Sequence, residues 1–382
     1  MTGQKMKFST KAIHGGQQPD PTSGAVMMPV YLTSTYAQKA LGQNKGYEYS
    51  RVSNPTRDAL ERNIAAMENA KEGMAFGSGM AAIDAIFRLL KPGDHVVVSH
   101  NVYGGTFRIG KFVLETYGLQ FDFVDTTKLH LVRKSIKRNT RMVFIETPTN
   151  PTMEITDLSA IASIAAEKKL ISVADNTFAT PYLQCPLDHG IDIVVHSLTK
   201  YLNGHSDMLG GMVVSSHSKH IERLRFLQKA TGGILSPFDS WLCLRGTKTL
   251  PVRMDRHGQS ALHIAGWLTT RKRIKNVFYP GLTTHPQHRL ARQQMKNFGG
   301  MISFDLGSIG AVNKFVTRLK LCALAESLGG VETLITHPAT MTHASIPAAQ
   351  RHKIGVTDGL LRISVGLEDV DDIIDDLTQA LR

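Results

Sequence analysis

Between residues 55 and 214 the chain alternates helix-period stretches with short apolar runs, and that alternation narrows the fold more than any other feature. A helical stretch over residues 57–69 leads to a strand at 74–76, a helix at 80–90 and a strand at 95–99. A helix near 106–117 follows, then strands at 120–124 and 142–145, a helix at 157–168, and strands at 170–174, 191–195 and 211–214. Several of these strands are nearly unbroken apolar runs, as strands buried on both faces must be. The expectation is an α/β fold with a large, mostly parallel sheet and helices on both of its faces.

The flanks read differently. Residues 1–50 are rich in Gly, Pro, Thr and Ser with few periodic apolar runs, and are expected to form an N-terminal arm. After about residue 245 a long helical pattern runs to Thr270, followed by a strand at 301–306, a helix at 311–319, a strand at 361–365 and an acidic helix at 369–381. The predicted division is an arm at 1–50, a large α/β domain at 51–245 and a smaller α+β domain at 246–382. A chain of 382 residues, 42% hydrophobic and 20% charged, is long enough to give both domains a core.

Composition also excludes some functions. No apolar run reaches the roughly 18 residues that span a bilayer, and residues 1–16 have no leader-like apolar segment, so a soluble cytoplasmic protein is expected, with no membrane partner. Cys185, Cys243 and Cys322 are odd in number and form no CxxC pair, which fits buried thiols better than disulfides or structural zinc. The net charge of +12 is spread along the chain, and the densest basic runs, 134–141 and 271–275, lack interleaved aromatics. Nucleic acid is therefore not an expected partner. The pairs His217/His220 and His285/His288 have no third ligand nearby in sequence, so no metal site is expected.

Three segments carry chemistry. The run from Ile191 to Tyr201 is an apolar strand ending in Ser197, Thr199 and Lys200. In extended chain the two hydroxyls share a side, suited to one anion, while Lys200 points elsewhere. A lysine at the carboxyl end of a buried strand lies where open α/β sheets bind ligands, and desolvation there makes a nucleophilic amine. A second apolar strand, from Leu170, ends in Asp175. That aspartate could cap a helix, pair with a base or keep the nitrogen of a bound heteroaromatic ring protonated; with Lys200 available the last role is favoured. The third segment, Gly77-Ser78-Gly79-Met80-Ala81-Ala82, turns a strand into a helix whose free amides suit a phosphate. Its spelling also fits a G-x-G-x-x-A dinucleotide fingerprint, which would make the chain an NAD-dependent dehydrogenase. That reading requires an acidic residue at the end of the next strand, where Ser99 and His100 stand, so a single phosphate is the better ligand.

Longer runs point to a family. Gly46-Tyr-Glu-Tyr-Ser-Arg51, Asn54-Pro-Thr-Arg57, Val102-Tyr-Gly-Gly-Thr106, Glu146-Thr-Pro-Thr-Asn-Pro151, Asp175-Asn-Thr-Phe178, Ser197-Leu-Thr-Lys-Tyr201, Asn203-Gly-His-Ser-Asp207, Ala325-Glu-Ser-Leu-Gly-Gly330 and the run from Leu361 to Asp369 occur in order along nearly the whole chain. Together they resemble the Cys/Met-metabolism enzymes that depend on pyridoxal 5'-phosphate (PLP), a family that includes cystathionine γ-lyase, γ-synthase and β-lyase and methionine γ-lyase.

The resemblance implies the aspartate-aminotransferase-like fold (fold type I), with PLP held in the 51–245 domain, and a homotetramer of two catalytic dimers. It implies a Schiff base on Lys200, a ring-nitrogen partner in Asp175 and a stacking ring from Tyr103, with Lys200 or Tyr103 as the acid for a leaving thiol. Gly79, Met80, Ser197 and Thr199 would hold the phosphate, joined by Tyr49 and Arg51 from an adjacent subunit. Asn150 would touch the ring oxygen or the substrate carboxylate, and Ser327 and Arg362 that carboxylate; the planar guanidinium fork of Arg362 suits the task. Without the family, Tyr103 and Arg362 would read as a core aromatic and a surface ion pair. Glu48 and Glu326 either receive the distal ammonium of an amino-acid substrate or are solvated surface carboxylates. Gly105 stands where methionine γ-lyases typically carry a cysteine, which argues against methionine cleavage. The words around 46–51, 103–108, 325–330 and 341–345 favour the γ-lyase, with β-lyase and γ-synthase as the alternatives.

Overall fold

The computed structural model describes residues 6–344 and 346–382; residues 1–5 of the expected arm and Ser345 of the 341–345 run lie outside them. Seven strands form the large sheet: β1 (Glu72–Phe76), β2 (His95–Ser99), β3 (Gln120–Val124), β4 (Thr140–Glu146), β5 (Ile171–Asp175), β6 (Ile193–Ser197) and β7 (Gly211–Ser215). Their order is β1-β7-β6-β5-β4-β2-β3, with β2 to β6 parallel and β7 antiparallel to both neighbours. The order reverses between β2 and β4, so the crevice beyond the carboxyl ends opens at that point.

Side-chain alternation along the strands feeds apolar clusters on both faces of the sheet. Met74, Phe76, Val96, Val98, Ile193 and Val195 pack on one face, while Ala75, Val97 and Val194 pack on the other. Helices cover both faces, and their first turns are capped as the local sequence dictates. Asn54 accepts from the amides of Thr56 and Arg57 at the start of Pro55–Met67, Ser78 from Ala81 at the start of Gly79–Phe87, and Asp157 from Ala160 at the start of Leu158–Lys168.

A second sheet has the order β10-β11-β12-β9-β8, from β8 (Asn276–Phe278), β9 (Met301–Asp305), β10 (Ala323–Leu324), β11 (Leu334–Thr336) and β12 (Leu360–Ser364). The twenty-residue helix Leu250–Thr269 ties the two halves together. Its first turns bury Leu250 and Met254 in a core of the large sheet, and its later turns bury Ala261, Ile264 and Leu268 against the small one. Among the described residues no helix is long and apolar enough to cross a membrane.

Two expectations need correction. Residues 106–117 are not one α-helix: a helix over Gly104–Arg108 passes into a π-helix over Ile109–Val113 and a 3₁₀ turn over Leu114–Tyr117, closed by Gly118 at φ 86°. The strand expected at 191–195 runs two residues further, to Ser197, and the chain then turns. Strict alternation ends there, so Lys200 does not point away from Ser197 and Thr199; all three line one cavity.

Candidate active site

The carboxyl ends of β1, β2, β4, β5 and β6 converge on a cavity of 190 Å³, closed on its far side by Glu326, Ser327 and Arg362 from the second half of the chain. Of the residues expected from sequence, Gly79, Met80, Tyr103, Asn150, Asp175, Ser197, Thr199, Lys200, Glu326, Ser327 and Arg362 all line it. Glu48, Tyr49 and Arg51 do not. The Arg51 guanidinium lies 5.5 Å from the centre of the Tyr49 ring and donates 2.6 Å to the carbonyl of Lys229, and Glu48 accepts from the Asn44 side chain at 2.6 Å. These three sit on the surface of their own chain, outside the cavity.

The wall from β1 is built for an anion. Ser78 takes the Ala81 amide with its side chain and the Ala82 amide with its carbonyl. The amides of Gly79 and Met80, at the start of a nine-residue helix, have no bond to make within it. A Cβ added to Gly79 would meet the Ser197 side chain at 3.1 Å, so glycine is what allows the helix start to approach the Ser197 hydroxyl. The Thr199 hydroxyl is already paired with the Gly210 backbone at 3.1 Å.

Asp175 lies across the floor. It is buried, its Oδ1 accepts the Thr177 amide at 3.0 Å, and desolvation raises its pKa against those hydrogen bonds. A carboxylate so placed gains most from a cationic partner. Behind it, Asn176 donates 2.9 Å to Glu68, and His196 lies 2.6 Å from the same Glu68 oxygen, a buried set that anchors the ends of β5 and β6.

Lys200 donates 2.9 Å to the Ser327 hydroxyl. Burial, aided by the positive Arg362, lowers its pKa to about 8, with Glu326 pulling the other way. A sizeable fraction of a neutral amine at physiological pH follows. Arg362 is fully buried; it donates to Asn150 Oδ1 at 2.8 Å, to the Ser327 carbonyl at 2.9 Å and to Thr336 at 3.2 Å. Its Nε has no partner among the described residues, and burial lowers its pKa to about 10. Ser327 holds its two contacts from a backbone at φ 96°, a conformation that costs a non-glycine residue energy and persists where the surroundings impose it.

The Tyr103 ring covers Gly105. A Cβ at Gly105 would lie 2.6 Å from Met80 Sδ and would strike the ring itself, so a cysteine there would displace Tyr103.

Sequence reading gave no role to Glu146, although it ends an apolar strand as Asp175 does. The structure makes it a buried wall of the cavity, paired in register with Asp175. Ser78, Thr177, Phe178 and Thr342 are further wall residues without an earlier role.

An anion cradle, a reactive amine and a buried carboxylate around one cleft fit the phosphate, aldehyde carbon and ring nitrogen of PLP. The Cys/Met metabolism PLP-dependent enzyme family model matches residues 9–382. The chain belongs to that family. A cystathionine beta-lyase of Coxiella burnetii is 53% identical over 99% of this chain and 98% of its own. A cystathionine gamma-lyase of Bacillus subtilis is 52% identical over 98% and 99%. The crystal structure of cystathionine gamma-lyase from Lactobacillus plantarum in complex with L-serine superposes with a TM-score of 0.96 at 47% identity, covering 98% of each chain. That of metB from Corynebacterium glutamicum gives 0.96 at 49%, again covering 98% of each. As a member of the Cys/Met family the chain is a PLP-dependent enzyme with the fold-type-I architecture expected from sequence. The dehydrogenase reading of the glycine turn is thereby set aside.

Proposed function

We propose that this enzyme is a cystathionine γ-lyase, cleaving the Cγ–sulfur bond of L-cystathionine to cysteine, 2-oxobutyrate and ammonia. Glu326 in the cavity wall is the observation that supports cystathionine as the substrate, and likeness to the gamma-lyases of Bacillus subtilis and Lactobacillus plantarum supports cleavage at Cγ. An amino-acid carboxylate seated on Arg362 leaves an anionic side chain in reach of the substrate's distal half, where cystathionine carries a second ammonium group and methionine carries none.

PLP, when bound, supplies an electron sink that delocalises the pair left at Cα. In this reading the amides of Gly79 and Met80, with Ser197 and Thr199, hold the phosphate, together with Tyr49 and Arg51 of an adjacent subunit. Lys200 holds the aldehyde carbon and, once freed by the substrate amine, takes the Cα proton at Nζ. Asp175 keeps the ring nitrogen protonated, and Tyr103 lies against the ring. Arg362, Asn150 and Ser327 fix the substrate carboxylate. Lys200 would pass that proton on to the cofactor and take a Cβ proton at the same Nζ, and Lys200 or Tyr103 would protonate the sulfur as the Cγ–sulfur bond breaks.

The reading includes a division into an arm at 1–50, a PLP-binding domain at 51–245 and a C-terminal domain at 246–382, and a cytoplasmic homotetramer of two catalytic dimers. The exposed apolar side chains of the arm, Val26, Leu32, Leu41 and Tyr49, support an assembly that covers them.

A β-lyase is the second reading, favoured by the name of the Coxiella relative. Product analysis with L,L-cystathionine separates them. Cysteine and 2-oxobutyrate are expected, with L-methionine a poor substrate. Homocysteine and pyruvate as main products would make the enzyme a β-lyase, and faster cystathionine formation from an activated homoserine ester and cysteine would make it a γ-synthase.

A further inference from the structure

Two buried carboxylates stand side by side at the carboxyl edge of the sheet, Glu146 on β4 and Asp175 on β5, in register on adjacent parallel strands. Asp175 faces the place of a ring nitrogen. Glu146 makes different bonds: Oε2 accepts the Tyr103 amide at 2.8 Å and Oε1 accepts the Asn150 amide at 3.0 Å. Those amides belong to separate loops, one leaving β2 and the other leaving β4, and both loops supply walls of the cavity. The same Asn150 passes its side-chain oxygen to Arg362, so this carboxylate is linked through one residue to the proposed carboxylate anchor.

We propose that Glu146 is a positioning residue: its ionised carboxylate clamps the backbone of Tyr103 to that of Asn150 and so sets the Tyr103 ring and the Asn150–Arg362 pair relative to the cofactor. A carboxylate is the one side chain of this length that offers two acceptor oxygens and no donor. Glutamine keeps the reach but turns an NH₂ against one of the two amides. Aspartate keeps the charge but falls a methylene short. Charge-assisted bonds to two amides suit a task that must hold loops without touching substrate. Burial and the neighbouring Asp175 push the Glu146 carboxyl well up, while the two amides and Arg362 oppose that rise. The clamp is therefore complete only where Glu146 is ionised.

The proposal rests on the reading that Tyr103 lies against PLP, and its test keeps the two apart. PLP affinity is measured by fluorescence titration of apoenzyme for wild type, Glu146→Gln, Tyr103→Ala and the double variant, with melting of each apoprotein in parallel. Glu146→Gln is expected to raise the PLP Kd about tenfold in the wild-type background, and about threefold or less in Tyr103→Ala, because part of its effect passes through that residue. Glu146→Asp recovers part of the loss, and it replaces Glu146→Gln in the cycle if the glutamine variant does not fold. An unchanged Kd in Glu146→Gln, or a tenfold loss that persists in Tyr103→Ala, overturns the clamp. A wild-type Kd for Tyr103→Ala alone overturns the reading beneath it.

Discussion

The carboxyl edge of the large sheet and the N-terminal arm carry equally strong sequence words but meet different fates in one chain. At the sheet edge, Gly79, Asp175, Ser197 and Lys200 meet Arg362 of β12 around one buried cavity, the first four placed by a helix start, strand ends or the turn that follows β6. On the arm and at its end, Glu48, Tyr49 and the adjoining Arg51 lie outside it, and Val26, Leu32 and Leu41 are left in solvent. A folded chain exposes single apolar side chains freely, and several on one ordered segment fit the proposed assembly without requiring it. The sheet edge gathers its residues within one chain; on the proposed reading, the segment around Tyr49 and Arg51 completes the site of an adjacent subunit.

Substitutions at the sheet edge should therefore remove chemistry itself. Asp175→Ala is expected to lower kcat by about 10²-fold or more at saturating PLP, the result of losing a transition-state interaction worth about 3 kcal/mol. Steady-state turnover checks this, and wild-type kcat would make the aspartate structural only. A smaller effect is expected at Glu326, to which the proposal assigns the substrate's distal ammonium. Glu326→Ala should raise KM for cystathionine roughly ten- to hundredfold, as for a contact worth ~1–3 kcal/mol, while sparing substrates with no distal charge.

The smallest effect comes from pH. Lys200 is a base whose pKa is lowered to about 8 by burial, so its neutral, nucleophilic form grows as pH rises through that value. Attachment of PLP to apoenzyme should speed up about fivefold between pH 7 and pH 8, about twofold more by pH 9, and level off there. Stopped-flow absorbance follows it, and a rate still rising above pH 9 would mean an ordinary, unperturbed lysine.

The same contrast explains what was legible in the sequence. Lys200 and Asp175 could be read because each ends an apolar run, and a strand's carboxyl end is a place with known consequences. The direction of Lys200 could not, since alternation holds only within a strand and the chain turns at Ser197. Phe107, Gly110 and Leu114 repeat with helical spacing, and nothing in that spacing announces the π turn between them. Glu146 ends its strand as plainly as Asp175 does, yet its partners are backbone amides, which have no signature in side-chain order. The arm could be read from its Gly, Pro, Thr and Ser content, but roles for Glu48, Tyr49 and Arg51 came only from family resemblance, since their own chain does not bring them to the cavity.

The central claim is that the site is shared, and mixing subunits tests it most directly. Lys200→Ala chains keep a working arm, and Arg51→Ala chains keep a working cleft. Mixed, dissociated and reassembled in equal amounts, half of the dimers are hybrids with one intact site of two, so roughly a quarter of wild-type activity should return. Activity no higher than that of the separate variants, with hybrid dimers demonstrably present, would mean that Arg51 serves its own chain and would contradict the account.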